Sequence, residues 1–209
     1  MRGRNGIGTP TPEFVQFFGR SRLDIHRALQ SKCSMPEEKT RATQANYDKA
    51  IEGLGIICVE FQRLEWVLKS AIALLICPND TPVGVIVTAQ LSFIATLDLL
   101  YALYHYRVPD DPPDTLKDLK KYLEKCGNAA TRRNNIVHAQ WMPDLKTGKG
   151  AVRTKYTAKN RNELKQQKET VSPTDMQKVS DELRSMRDLY RRDWMERIHR
   201  WERRQHSMR

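Results

Sequence analysis

The chain has 209 residues and a mass of 24.3 kDa, with 39% hydrophobic and 29% charged residues. That is enough apolar material for the core of one ordinary domain, which excludes a disordered chain, and ten Gly and ten Pro are too few for a collagen-like or linker-rich one. Lys plus Arg is 36 against 25 Asp plus Glu, a formal net charge of +11, and an excess of that sign favours polyanionic partners.

Residues 1–12 read as a flexible N-terminus. The opening MRGRNGIGTPTPEF has no apolar stretch of the kind a secretory signal carries. Glu13 to Leu29 follows as a short amphipathic helix marked by Phe14, Phe17, Phe18 and Leu23. Ser34-Met-Pro-Glu37 is a capping-box pattern with Pro just inside a helix start. The helix it opens is expected to run to Ile76, where Pro78 stops it. Its core stripe is Tyr47, Ile51, Leu54, Ile57, Phe61, Leu64, Leu68, Ile72 and Leu75, all in steps of three and four. Gly53 and Gly55 weaken its middle and permit a bend or a close helix approach.

Thr81-Pro82 repeats the start signal. The β-branched run Val83, Val85, Ile86, Val87 would suit a strand in isolation, but the length of Val83 to Tyr106 favours one buried helix. The longest uncharged run, Thr81 to Leu97, is broken by Thr88, Gln90, Ser92 and Thr96. A membrane span needs about 20 mostly apolar residues, so none is expected. After the loop Pro109–Asp114, the marks Leu116, Leu119, Leu123, Cys126, Ala130 and Val137 predict a helix from about Asp114 to His138. Residues 140–157 then read as strand, turn, strand about Gly148-Lys-Gly150. Residues 158–172 are polar and read as irregular. Ser172-Pro-Thr-Asp175 opens a last helix with the stripe Val179, Leu183, Met186, Tyr190, Trp194, Ile198 and Trp201.

The fold class expected is all-α: a helical bundle with a small β-hairpin insertion and a long basic C-terminal helix. The domain reading is 13–144 for the bundle, 145–172 for hairpin and polar linker, and 173–209 for the basic helix. From Leu145 onward there are 18 Lys and Arg against 9 Asp and Glu, a net of +9, so the last third reads as a basic arm. Arg132, Arg191 and Arg192 are the expected nucleic-acid contacts. The stripe from Val179 to Trp201 is longer than a small bundle needs and could help hold a second copy, the alternative being that it packs entirely within its own chain, as its first half is expected to. The alternative is a solvated face laced by the i, i+4 pairs Asp188–Arg192, Asp193–Arg197 and Glu196–Arg200. Trp194 and Trp201 could stack on bases, but their seven-residue spacing suits packing better.

Chemistry is sparse. The four cysteines, Cys33, Cys58, Cys77 and Cys126, form no C-x-x-C pair and have no His at zinc-finger spacing. No metal and no cofactor are therefore expected, and the free thiols suit a reducing, cytoplasmic compartment. There is no Ser/His/Asp order, Gly-rich phosphate loop or H-E-x-x-H.

One cluster stands apart: Thr131-Arg-Arg133-Asn134-Asn-Ile-Val-His138-Ala-Gln-Trp141, in which four residues separate Arg133 from His138 at the end of a predicted helix. Five residues at about 100° each place the two about 140° apart, so they share no stripe, whereas Asn134 and His138 do. Arginine holds phosphate oxygens bidentately and stays charged; histidine, with an unperturbed pKa near 6.5, suits proton transfer. The bland reading is that both side chains cap the helix end, where the dipole is negative. Glu60 and Glu65 sit in an otherwise apolar stretch and require partners, with Arg63, Arg132 and Arg133 the candidates.

This cluster resembles that of the HEPN superfamily, whose ribonucleases carry Arg, four to six intervening residues and His, usually with a polar residue after the Arg. Phe61-Gln-Arg-Leu-Glu65-Trp-Val-Leu and the segment Thr88 to Leu103 are similar to the helices that precede the motif in that family, so the resemblance covers roughly residues 45–145. It implies a metal-independent endoribonuclease acting at a homodimer interface. Arg133 and His138 would be catalytic, with Asn134 and Glu65 in support. RNA would be the partner, and a toxin or defence role, with an antitoxin or other regulatory protein as a further partner, is compatible with it. The alternatives are a non-catalytic HEPN-like module binding nucleic acid or protein, and an unrelated helical interaction protein. The Tyr that some HEPN toxins carry two residues after the His is Gln140 here, which argues against control by nucleotidylation of that Tyr.

Overall fold

The structure is a computed structural model that describes residues 37–78, 81–159 and 163–207. The expected N-terminal tail, the helix over 13–29, Cys33 and the start of the Ser34–Glu37 capping box lie outside those residues. Within Ala42–Arg209, which forms one compact unit, the fold is mostly helical with one small sheet. Helix α1 covers Glu37–Ile76, α2 Thr81–Ala89, α3 Phe93–Arg107 and α4 Pro113–Val137. Strands β1 (Gln140–Pro143), β2 (Ala151–Lys159) and β3 (Glu163–Val171) follow, then helix α5 (Pro173–Tyr190), a π-helical turn (Arg191–Met195) and α6 (Glu196–Ser207).

Helix α1 is the spine. Ile57, Phe61, Leu64, Leu68, Ile72 and Leu75 are buried as their spacing requires, while Tyr47, Ile51 and Leu54 are half-buried. The other helices pack on this stripe. Phe61 meets Phe93 of α3 with ring centroids 4.7 Å apart. Gly53 lets α5 approach so closely that a Cβ there would lie 2.7 Å from Cβ of Met176. Tyr122 of α4 donates to the Met186 carbonyl of α5 at 3.0 Å and lies against Tyr190.

Four expectations are corrected. The segment Val83–Tyr106 is two helices, because the Ser92 hydroxyl accepts the Ala95 N–H at 3.2 Å and restarts the chain as an N-cap. Helix α2 is not buried. Gly84 and Thr88, one turn apart, are its inward side, and Val85, Ile86 and Val87 face outward. The polar stretch after residue 158 includes β3, which pairs antiparallel with β2 from Ala151↔Val171 to Lys159↔Glu163. Its polar, charged side chains suit an edge strand, whose ladder asks only for backbone groups.

The last third is not an appended arm. Met176, Leu183, Met186, Tyr190, Trp194, Ile198 and Trp201 are buried within the chain, the last only 6% exposed, so no surplus stripe is left for a second copy. Tyr104 and Trp194 make an edge-to-face contact at 5.9 Å. Both late tryptophans are therefore packing residues. Met186, Tyr190, Trp194 and Ile198 fall at steps of four, twelve residues over three turns. An α-helix would need about eleven. The π turn absorbs the extra residue and keeps every one of these side chains facing the core. The expected i, i+4 ion pairs are replaced by others. Asp188 joins Arg187, Asp193 joins Arg192, Arg197 reaches Asp111, and Glu196 joins Arg203.

Candidate functional site

Helix α4 delivers the Arg133–His138 cluster to the surface at its C-terminal end. The His138 N–H still bonds to the Asn134 carbonyl at 3.0 Å, so helical spacing holds through the last turn. The chain then turns into β1, and the Trp141 indole N–H closes the corner on the Ile136 carbonyl at 3.0 Å. His138, Asn134 and Gln140 are exposed, and Arg133 is half-buried.

Arg133 lies over the Phe61 ring with its guanidinium carbon 5.3 Å from the centroid, a cation–π seat. Its Nη1 donates to the Asn134 amide oxygen at 3.0 Å. Its Nε is buried without a hydrogen-bond partner, and no carboxylate pairs with Arg133 among the described residues. A guanidinium seated on a ring and held by a neutral amide keeps its full charge and several donors for an incoming anion.

Asn135, the next residue, accepts a hydrogen bond from the Lys155 ammonium of β2. The sheet brings Lys155 there through register. Gln140 pairs with Thr154, and Lys155 is the next residue along, beside the His138–Ala139 turn. The turn that joins β1 to β2 is organised by buried Asp144, which accepts the Lys146 N–H at 3.1 Å and the Thr147 N–H at 3.2 Å as well as the Thr147 hydroxyl. The Thr147 hydroxyl above all, with the two backbone N–H groups, holds the Asp144 carboxyl below its ordinary value. Gly148 closes the turn at φ +69°, where a side chain would be strained.

The other expected residues are dispersed. Arg132 pairs with Glu182 of α5. Arg191 is exposed, and Arg192 is paired with Asp193 at 2.8 Å. Glu65 is not paired with Arg133; it pairs with Lys69 at 2.9 Å, one turn on. Glu60 does find the expected Arg63, at 2.9 Å, and two that the sequence did not suggest, Arg184 at 3.5 Å and Arg187 at 2.6 Å. Cys58 and Cys77 are half-buried and Cys126 is buried, all as free thiols. Burial pushes the Cys126 thiol up to about 12, which leaves it inert as a nucleophile.

A second polar region lies at the opposite end of α4. A cleft of about 610 Å³ is lined by Asp110, Asp111, Arg200, Arg203, Arg204 and Ser207. Carboxylates already hold most of its cations. Arg204 meets Asp110 at 3.7 Å and Arg203 meets Glu196, while Asp111 of the lining is held by Arg197 from outside it at 3.3 Å. At the end with Arg133, by contrast, the cations Arg133 and Lys155 are held by amides. Sequence reasoning missed Asn135 and Lys155, which lie 20 residues apart, and the Phe61 ring beneath Arg133. The Asn doublet was the only local signal for any of them. No family model, curated protein or solved structure matches this chain.

Proposed function

We propose that this protein is a metal-independent endoribonuclease in which Arg133 binds the scissile phosphate and His138 transfers protons. The observation that carries the reading is Arg133 itself: seated on Phe61, held by Asn134, its Nε without a partner, at the helix end that also carries an exposed His. In the reaction, the RNA 2′-hydroxyl attacks the adjacent phosphorus as a base removes its proton. The bond to the 5′-oxygen breaks, and an acid protonates that leaving oxygen. The products are a 2′,3′-cyclic phosphate and a 5′-hydroxyl. Arg133 neutralises the charge that grows on the phosphate oxygens. Asn134 fixes the direction of Arg133. Because one His cannot readily serve as both base and acid in one turnover, the reading calls for a homodimer that brings two copies of the α4 end together. Such a dimer would form about the α4 end, since the α5–α6 stripe is spent on the chain's own core.

The test is incubation of the pure protein with mixed RNA in EDTA. Cleavage with cyclic phosphate ends, lost in both His138→Ala and Arg133→Ala at unchanged helical circular dichroism, is the expected result. Mixing the two inactive variants should restore part of the activity through a composite dimer. RNA binding without cleavage would convert the assignment to a non-catalytic module. Neither binding nor cleavage would leave an interaction protein.

A further inference from the structure

Asn134 and Asn135 stand four and three residues before His138, so both lie beside it on the helix surface, with about 5–6 Å between Cβ atoms. Each accepts a hydrogen bond from one cation: Asn134 from Arg133 of its own helix, Asn135 from Lys155 of β2. An amide holds a cation in place without cancelling its charge, which a carboxylate would do. Other cations of the chain end on carboxylates instead. Arg187, Arg197 and, on β2 itself, Arg153 two residues before Lys155 are each paired with a carboxylate. Among the described residues, Arg133 and Lys155 are thus two amide-held cations whose amides both stand one turn before one exposed histidine.

We propose that Lys155 is a second substrate-binding cation of this site. It is carried in by the sheet and aimed by Asn135, so that the backbone of single-stranded RNA spans Arg133 and Lys155 across His138. Arg133 takes the phosphate that reacts and Lys155 the neighbouring one. The sheet then has a purpose beyond closing the chain between α4 and α5: it sets the path of the strand over the helix end. The inference rests on the ribonuclease reading, and it adds a residue that the Arg–His motif does not contain.

The experiment measures fluorescein-labelled single-stranded RNA against full-length protein in the His138→Ala background, so that binding is read without cleavage. Lys155→Ala should weaken binding about five- to tenfold at low salt and lower the log–log salt slope by about 0.7, the value for one phosphate contact on a single strand. Lys149→Ala, an equal loss of charge at the far turn of the same sheet, should do neither. Lys155→Gln keeps an N–H for Asn135 without the charge. It should fail like Ala, whereas Lys155→Arg should restore binding. In the active protein, Lys155→Ala should raise KM and leave kcat within about twofold, the sign of lost uniform binding. If Lys155→Gln binds RNA like the parent, the contact only pins the sheet and the proposal is wrong, while the roles of Arg133 and His138 stand. If the parent protein binds no RNA, both readings are overturned.

Discussion

Arg187 and Arg133 both reach towards α1, and to adjacent residues of it, yet they meet opposite environments. Arg187 is 13% exposed and ends on the carboxylate of Glu60, itself 4% exposed and shared with Arg63 and Arg184. Every charge there has its counter-charge, as a buried carboxylate demands. One residue along α1, Phe61 offers Arg133 a ring and no charge. The first arrangement joins α1 to α5. The second leaves a cation with unused donors at the surface. The difference separates an arginine that holds the fold from one that is available to a ligand, although both occupy helices of similar composition.

The comparison breaks if the two arginines respond alike to substitution. The largest effect is expected in activity. His138→Ala should lower RNA cleavage at least about a thousandfold, as should Arg133→Lys, which keeps charge but loses the bidentate fork. Initial rates on a defined oligonucleotide, with a melting curve for each variant, check this; a lowered Tm with retained activity would place Arg133 beside Arg187 as a structural residue.

At the other site the loss should be in stability. Glu60→Ala strands the cations around it and should cost about 3–5 kcal/mol, read as a fall in Tm of about 10 °C. Urea unfolding of Arg187→Ala should follow Glu60→Ala, and the double variant should lose less than the sum of the two.

Gly53→Ala should cost a smaller amount, about 1–3 kcal/mol, because the new Cβ meets the Cβ of Met176, which cannot swing aside as the end of a flexible chain would. If chemical denaturation finds no loss, α5 can slide along α1 and the Glu60 cluster is not a fixed joint.

The smallest effect sharpens the site through its turn. Asp144 has its carboxyl held below the ordinary value in the folded state. Its contribution is therefore complete above the unfolded value of about 3.9 and is lost as pH falls through the lower folded value. Asp144→Asn should remove on the order of 1–2 kcal/mol at pH 6 and flatten the decline of stability below pH 4. Amide hydrogen exchange of β1 and β2 at the two pH values would show whether the loss is confined to the sheet that carries Lys155.

Much of this could be read along the chain. The α1 stripe from Ile57 to Leu75, the α4 marks from Leu119 to Ala130 and the Ser172–Asp175 capping box are each set by contacts within a turn or two, so local spacing is sufficient to find them. Arg133, Asn134 and His138 could be read for the same reason, being neighbours on one helix end. The partners of the two carboxylates of α1 could not. Glu60 is met from α5 by residues more than 120 positions away, and Glu65 turns to Lys69.

What the sequence by itself determined is where the helices run, which of their faces are apolar, and that an arginine, an amide and a histidine share the end of α4. Only the tertiary structure decided that the basic C-terminal third is core and not arm. A stripe with steps of four is ambiguous until the π turn is seen to keep Trp194 and Ile198 inward. Only the tertiary structure, too, could bring Lys155 to Asn135. Strand register is a long-range property, set by the Asp144–Gly150 turn and the pairing of Gln140 with Thr154. Charge obeys the same division. Sequence counts the arginines, and packing decides which of them a carboxylate neutralises and which are left to bind.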